Sequence, residues 1–200
     1  MKKFELTTEF ITNFLGTKLF RIKALVEFGK VEKGELGGFV EKEENLDHDG
    51  DAWVSGDAMV YGNARVSGNA EVYGDAEVYG NARVYGDARV YGNARVSGNA
   101  RVYGNAWVSG NARVSGDAWV SGDQMYAAVK GFGSEYRNTT FFITKDGNVC
   151  VNCGCFSGTL EQFREKVEET HKDTKYAKEY LMIADLMEMH FKEELEKIKK

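Results

Sequence analysis

The chain has 200 residues, with 26 Lys and Arg against 31 Asp and Glu, 23 Gly, no Pro and 42% hydrophobic residues. That apolar content excludes a disordered chain, and the net charge of −5 argues against generic nucleic-acid or membrane-surface binding. Three cysteines confined to 150–155 make no disulfide framework, and no apolar run suits a secretory core or a membrane span, so the expected location is a reducing cytoplasm.

Residues 1–50 read as an N-terminal cap. Leu19-Phe20-Arg21-Ile22-Lys23-Ala24-Leu25 alternates as a strand does, and Gly34-Glu35-Leu36-Gly37-Gly38 reads as a turn. Asn45-Leu46-Asp47-His48-Asp49-Gly50 reads as a degenerate copy of the unit that follows, with Leu46 in its alanine position and His48 in its valine position.

Residues 51–122 are twelve uninterrupted copies of six residues, each reading Asp/Asn, Ala, variable, Val, Tyr/Ser, Gly. Alternation puts Ala and Val on one face and the variable and Tyr/Ser residues on the other. Gly followed by Asn or Asp tolerates positive φ, so the chain can turn a corner every six residues. Three corners close a triangle of eighteen residues, which makes about four coils of the twelve copies, stacked at the spacing of neighbouring strands, ~4.8 Å. Valine burial alone does not hold such a coil against the loss of backbone entropy; ladder hydrogen bonds, terminal caps and self-association are expected to contribute.

Residues 123–200 read as a C-terminal module. Thr139–Thr144 and Val149–Cys153 form a β-hairpin across Lys145-Asp146-Gly147-Asn148. Thr159 with Gln162 is a capping box opening a helix to about His171. A second helix spans roughly 174–198, its apolar stripe (Tyr176, Tyr180, Leu181, Ala184, Met187, Phe191, Leu195, Ile198) awaiting the first helix, the hairpin or the same helix of another subunit.

The order aliphatic (Val60, Val66, Val72), corner Asn or Asp, small residue (Ala64, Ala70, Ala76) resembles the hexapeptide pattern of left-handed β-helix proteins. This resemblance implies a mainly β fold: a left-handed parallel β-helix with an N-terminal β cap and a C-terminal hairpin plus two helices. The Arg21-Ile22-Lys23-Ala24 strand, the Tyr-Gly-Asn-Ala-Arg-Val arrays and Cys153-Gly154-Cys155-Phe156 resemble a group of small phage and prophage proteins. That second resemblance implies a phage-related setting, in the host cell cytoplasm, and transfers no activity.

Taking every third hexad stacks Trp53, Glu71, Arg89 and Trp107 on one face, and Met59, Glu77, Arg95 and Arg113 on a second. The third face stacks Arg65, Arg83, Arg101 and Trp119, with Ser67, Tyr85, Tyr103 and Ser121 beside them. Like charges at strand spacing repel unless something screens them. Arg65, Arg83 and Arg101 with Tyr85 and Tyr103 are therefore candidates for holding phosphates and stacking a ring, against the alternative that they merely cover an exposed sheet. Trp53, Trp107 and Trp119 are candidates for a subunit interface.

Hexapeptide β-helix acyltransferases use a histidine near a subunit groove, and the related carbonic anhydrases hold a metal with histidines. Residues 51–122 contain no His, no Cys and no loop, which leaves His48 as the nearest candidate base, against a plain cap role. Ice binding would call for ranks of Thr, which the array lacks. Cys150, Cys153 and Cys155 with His171 are a candidate zinc set, for which a bulge at Gly154 would be needed to converge them, against the alternative of buried thiols packing the hairpin. No catalytic residue and no cofactor is assigned.

The expected function is a non-enzymatic, oligomeric (trimeric or dimeric) binding or scaffold protein. In a phage setting it would be a counter-defence protein sequestering a host protein or a small anionic nucleotide. The alternatives are an acyltransferase-like enzyme using His48 and a structural virion or assembly component.

Overall fold

A computed structural model describes residues 1–198. The hexads wind into a three-sided solenoid. Trp53–Val54, Glu71–Gly74, Arg89–Gly92 and Trp107–Val108 form one parallel sheet, and Arg65–Val66, Arg83–Val84, Arg101–Val102 and Trp119–Val120 form another. Met59–Val60, Glu77–Val78, Arg95–Val96 and Arg113–Val114 make the third. Each strand pairs with the residue eighteen positions on, as in Arg65↔Arg83↔Arg101↔Trp119. All alanines and valines of the hexads are fully buried, so the interior is two alternating columns of small and branched side chains on each face.

Backbone bonding runs through the corners as well as the strands. Arg83, Tyr85 and Asp87 donate their N–H groups to Ala100, Val102 and Gly104 carbonyls at 2.9, 3.0 and 3.0 Å. Gly86 turns its corner at φ +74°, and a Cβ there would stand 3.0 Å from the Gly104 nitrogen of the next coil, so this position needs glycine for both torsion and clearance. Corner amides add a second ladder outside, with Asn63, Asn81 and Asn99 each donating to the side chain below at 3.3, 3.1 and 3.0 Å.

The cap contributes a coil of its own, bringing the solenoid to about five turns rather than four. Leu36–Val40 pairs antiparallel with Lys18–Ala24 on one edge and parallel with Met59–Val60 on the other; Lys18–Ala24 pairs in turn with Phe4–Thr12. The expected turn at 34–38 is thus corrected, because Leu36, Gly37 and Gly38 lie in a strand. Their glycines serve close approach: a Cβ on Gly37 would meet Ile22 Cγ1 at 2.5 Å and the Val54 oxygen at 2.6 Å.

Register also corrects the degenerate hexad. Phe39 pairs with Met59 and Leu46 with Val66, a step of twenty, whereas Trp53 pairs with Glu71, a step of eighteen. Two extra residues therefore sit between Leu46 and Trp53. Leu46 takes the valine position rather than the alanine one, and His48 leaves the interior for the widened corner. Asn45 and Lys3 close this end. The buried Asn45 Nδ2 donates to Gly62 and Ala64 carbonyls at 3.2 and 2.8 Å, while its Oδ1 accepts from the Lys42 N–H at 3.0 Å. Lys3 Nζ donates to Gly50 and Ala52 carbonyls at 3.1 and 3.0 Å, and burial lowers its pKa below the ordinary lysine value. Asn45→Ala strands three backbone groups and is expected to lower unfolding stability by about 2–3 kcal/mol in urea titration; an unchanged midpoint would show that these bonds do not hold the cap.

The far end is closed by a four-stranded antiparallel meander: Tyr126–Val129, Thr139–Ile143, Val149–Cys153 and Phe156–Thr159. The predicted hairpin is its centre; the two outer strands carry no alternation distinct enough to read from sequence. Side chains of the sheet satisfy the last coil's edge: Thr140 Oγ1 accepts from the Arg113 N–H at 3.0 Å, and Asn152 Nδ2 donates to the Arg113 carbonyl at 2.8 Å. Helix α1 (Leu160–His171) starts at the expected Thr159 and Gln162 capping box. Helix α2 (Lys175–Ile198) buries Tyr180, Ala184, Met187 and Phe191, and Phe163 of α1 lies edge-on to both Tyr180 and Phe141. Of the expected α2 stripe, Tyr180, Ala184, Met187 and Phe191 are thus covered within the same chain, Tyr176, Leu181 and Leu195 are half-buried, and Ile198 is exposed. No helix of the described residues is long and apolar enough to cross a membrane.

Candidate functional site

The cap's coil is two residues longer than the eighteen-residue coil beneath it, and its segment 43–48 overhangs one face, lining a concavity with it. Below the overhang lies a groove of about 640 Å³. Arg65, Arg83 and Arg101 run along it, Ser67 and Tyr85 flank them, and Glu43, Glu44, Asp47 and His48 form the overhanging wall. Four of the five predicted ligand-binding residues are brought together here. The fifth, Tyr103, lies behind the groove, stacked on Tyr85 at 5.1 Å and 6°.

The charge pattern sets this face apart. On the neighbouring faces Arg89 Nε lies 3.6 Å from Glu71 and an Arg95 nitrogen 2.9 Å from Glu77, each one coil before, while Arg113, which follows Arg95, donates to the Gly154 carbonyl at 3.2 Å. Among the described residues Arg65, Arg83 and Arg101 have no ion-pair partner, and the Arg101 guanidinium lies 5.4 Å from the Trp119 ring. Two unit charges at strand spacing repel by roughly 0.9 kcal/mol in water and about four times that at an effective dielectric of 20. An anion laid along the column turns that repulsion into attraction.

Tyr85 adds a platform. One ring face is covered by Tyr103; the other looks toward Ser67, one coil nearer the overhang, where the small side chain leaves a ring-sized step unfilled. The carboxylates of the wall lie across from the guanidiniums. A ligand with phosphates, a planar ring and hydroxyl groups would meet donors, a stacking surface and acceptors in one concavity.

His48 borders the groove and is tied down at both ring nitrogens. Its Nδ1 accepts from the Lys3 backbone N–H at 3.2 Å, which leaves the proton on Nε2, 2.7 Å from Glu43 Oε1. Its ring stacks on Phe4 with centroids 4.5 Å apart. This is a brace fastening the N-terminal strand to the overhang, with neither nitrogen free to take a proton from a substrate. Hydrogen bonds from Lys2 and then His48 hold the Glu43 carboxyl below the usual glutamate range. A carboxylate depressed in the fold stabilises it above the ordinary glutamate pKa, and that contribution is lost as pH falls through the lowered value. Glu43 is solvent-accessible, so the effect is small: Glu43→Gln is expected to lower Tm slightly at pH 7 and not at pH 3, and an equal loss at both would remove the ionised carboxylate from the brace.

The tryptophans do not share one environment. Trp53 is 5% exposed, packed edge-on against Phe28 at 5.4 Å, so its expected exposure is corrected: the cap covers it. Trp119 is half-buried, and Trp107, 45% exposed, carries the Arg89 guanidinium at 4.9 Å. The three indoles therefore present no common surface.

The cysteines remain separate as well. Cys153 Sγ lies 3.2 Å from Thr139 Oγ1 and 3.8 Å from the Tyr180 hydroxyl. Cys150 is half-buried, its thiol pKa raised by burial, and Cys155 is exposed. His171 packs against Tyr176 and Tyr180 instead. Among the described residues no group of three His, Cys, Asp or Glu side chains is placed to hold a metal ion.

Comparison with curated proteins returned no match. Residues 52–68, 58–74, 76–92, 88–104, 94–110 and 106–122 match the family model of the YdcK beta solenoid repeat. With its three parallel sheets stacked coil on coil, the chain is a β-helix repeat protein, similar through its hexads to that solenoid family.

Proposed function

We propose that the chain is a non-enzymatic binding protein whose groove captures a small anionic nucleotide. The observation that carries this reading is the column of three consecutive arginines, Arg65, Arg83 and Arg101, unpaired among the described residues, on a solenoid whose other two arginine-bearing faces each hold an arginine paired with a glutamate one coil away. Phosphates would lie along the guanidiniums, a base would stack on the open face of Tyr85, and sugar hydroxyls would donate to the acidic wall. Binding through preformed, periodic side chains on a rigid coil needs little reordering, which favours affinity. In the phage-type setting that the sequence resemblance implies, such capture would act as counter-defence by sequestering a nucleotide signal of the host.

Isothermal titration of the purified chain against cyclic and ADP-ribose-type nucleotides tests this. Saturable heat that weakens as salt is raised is expected; no heat with any of them would overturn the reading.

A further inference from the structure

Helix α2 has a second face that the core does not use. Opposite the buried Tyr180, Ala184, Met187 and Phe191, it exposes Met182, Leu186 and Met189 at 71%, 49% and 68%. Their spacing of four and three places them on one stripe. The same stripe continues to Lys175 and Lys178 toward the helix start and to Glu193 and Glu196 toward its end. It is basic, then apolar, then acidic over about 31 Å.

That order opposes the helix's own dipole, which favours acids at the start and bases at the end. The first turn of α2 has no acid, and its last turn has a single base, Lys197. Within the chain the basic end is met only at its margins, Lys175 by Glu179 at 3.4 Å and Lys178 by the exposed Asp173 at 3.0 Å.

We propose that this stripe is the contact surface for a second copy of the chain, with the two α2 helices antiparallel. Centred between Asp185 and Leu186, the pairing sets Met182 beside Met189 of the other copy. It sets Lys178 beside Glu193, and Lys175 beside Glu196. Each helix start then meets the other copy's carboxylates, the sign that its dipole calls for. Asp185 and Glu188 at the margin are already held by Arg164 at 2.6 and 2.9 Å, so they bring no uncompensated charge to the centre. The match is self-complementary only head to tail; a parallel pair would set lysine against lysine and glutamate against glutamate.

Sedimentation velocity of the full chain over a wide concentration range tests the proposal. A reversible monomer–dimer equilibrium is expected. Lys178→Glu and Glu193→Lys are each expected to weaken it roughly tenfold, by turning two attractions into repulsions, while an equimolar mixture of the two variants restores a dimer in which both pairs are again opposite in sign. Both side chains are exposed, so circular dichroism should be unchanged. A chain monomeric throughout, a dimer indifferent to both variants, or a mixture no tighter than its components would overturn it. Nucleotide titration of the same variants reads the groove separately.

Discussion

Arg83→Glu is expected to reduce nucleotide affinity roughly a hundredfold or more while leaving the thermal midpoint nearly unchanged. Arg83 is the middle of the column, flanked one coil away by Arg65 and Arg101, so any anion spanning the groove passes over it. The substitution removes a charge-assisted contact and places a carboxylate where the phosphate would lie, a change of about 3 kcal/mol or more in binding. It also leaves the new glutamate between two arginines, which stabilises the free protein by the pairing already found at Arg95 and Glu77. Loss of binding without loss of stability therefore separates a ligand site from a structural sheet cover. Arg89→Gln, on the neighbouring face, is expected to leave titration unaltered. Binding by Arg83→Glu equal to the parent's would remove the groove as the site.

Val84→Asp is expected to prevent folding of the solenoid, or to lower its stability by about 5 kcal/mol or more. Val84 is fully buried between Val66 and Val102, and its neighbours offer only alanine and valine side chains, so an ionised carboxylate there has neither solvent nor partner. Each coil is stabilised chiefly by the coils above and below, and a charge in the middle divides the stack into two short pieces with open edges. Val84→Thr, of nearly the same shape, tests the same interior with a smaller penalty of about 1–3 kcal/mol for an unbonded hydroxyl. Circular dichroism melts of the two variants should rank parent, Thr, Asp; an Asp variant melting with the parent would mean that the valine column is not the core.

The arginine and tyrosine side of the groove could be read from the eighteen-residue recurrence, because strict periodicity converts sequence distance into spatial adjacency. Arg65, Arg83 and Arg101 share a face for that reason alone, and so do the tyrosines. His48 could not be placed in the same way. The hexad 45–50 keeps the repeat's Asn and Gly but departs from it at Leu46, His48 and Asp49, and two extra residues move Leu46 one inward slot along and push His48 outward. Hydrophobic depth, not pattern, set the register: leucine fills a valine position in the interior, and a histidine there would leave ring nitrogens unbonded. Trp53 was misplaced for a related reason, since alternation assigns it to the outside and says nothing of the cap that folds back over it.

Local chemistry thus determined, without coordinates, a three-sided coil with valine and alanine inside, a capping-box helix and a central hairpin, because each depends on neighbours in sequence or on a fixed period. Tertiary structure alone decided which outer face became a groove. The wall of carboxylates belongs to a coil of twenty residues beside coils of eighteen, and Glu43 and Arg65 line one groove through that register. The same holds for the cysteines and for α2: which side chains meet, and which apolar stripe is left uncovered, follows from packing among segments far apart in the chain, which no local pattern encodes.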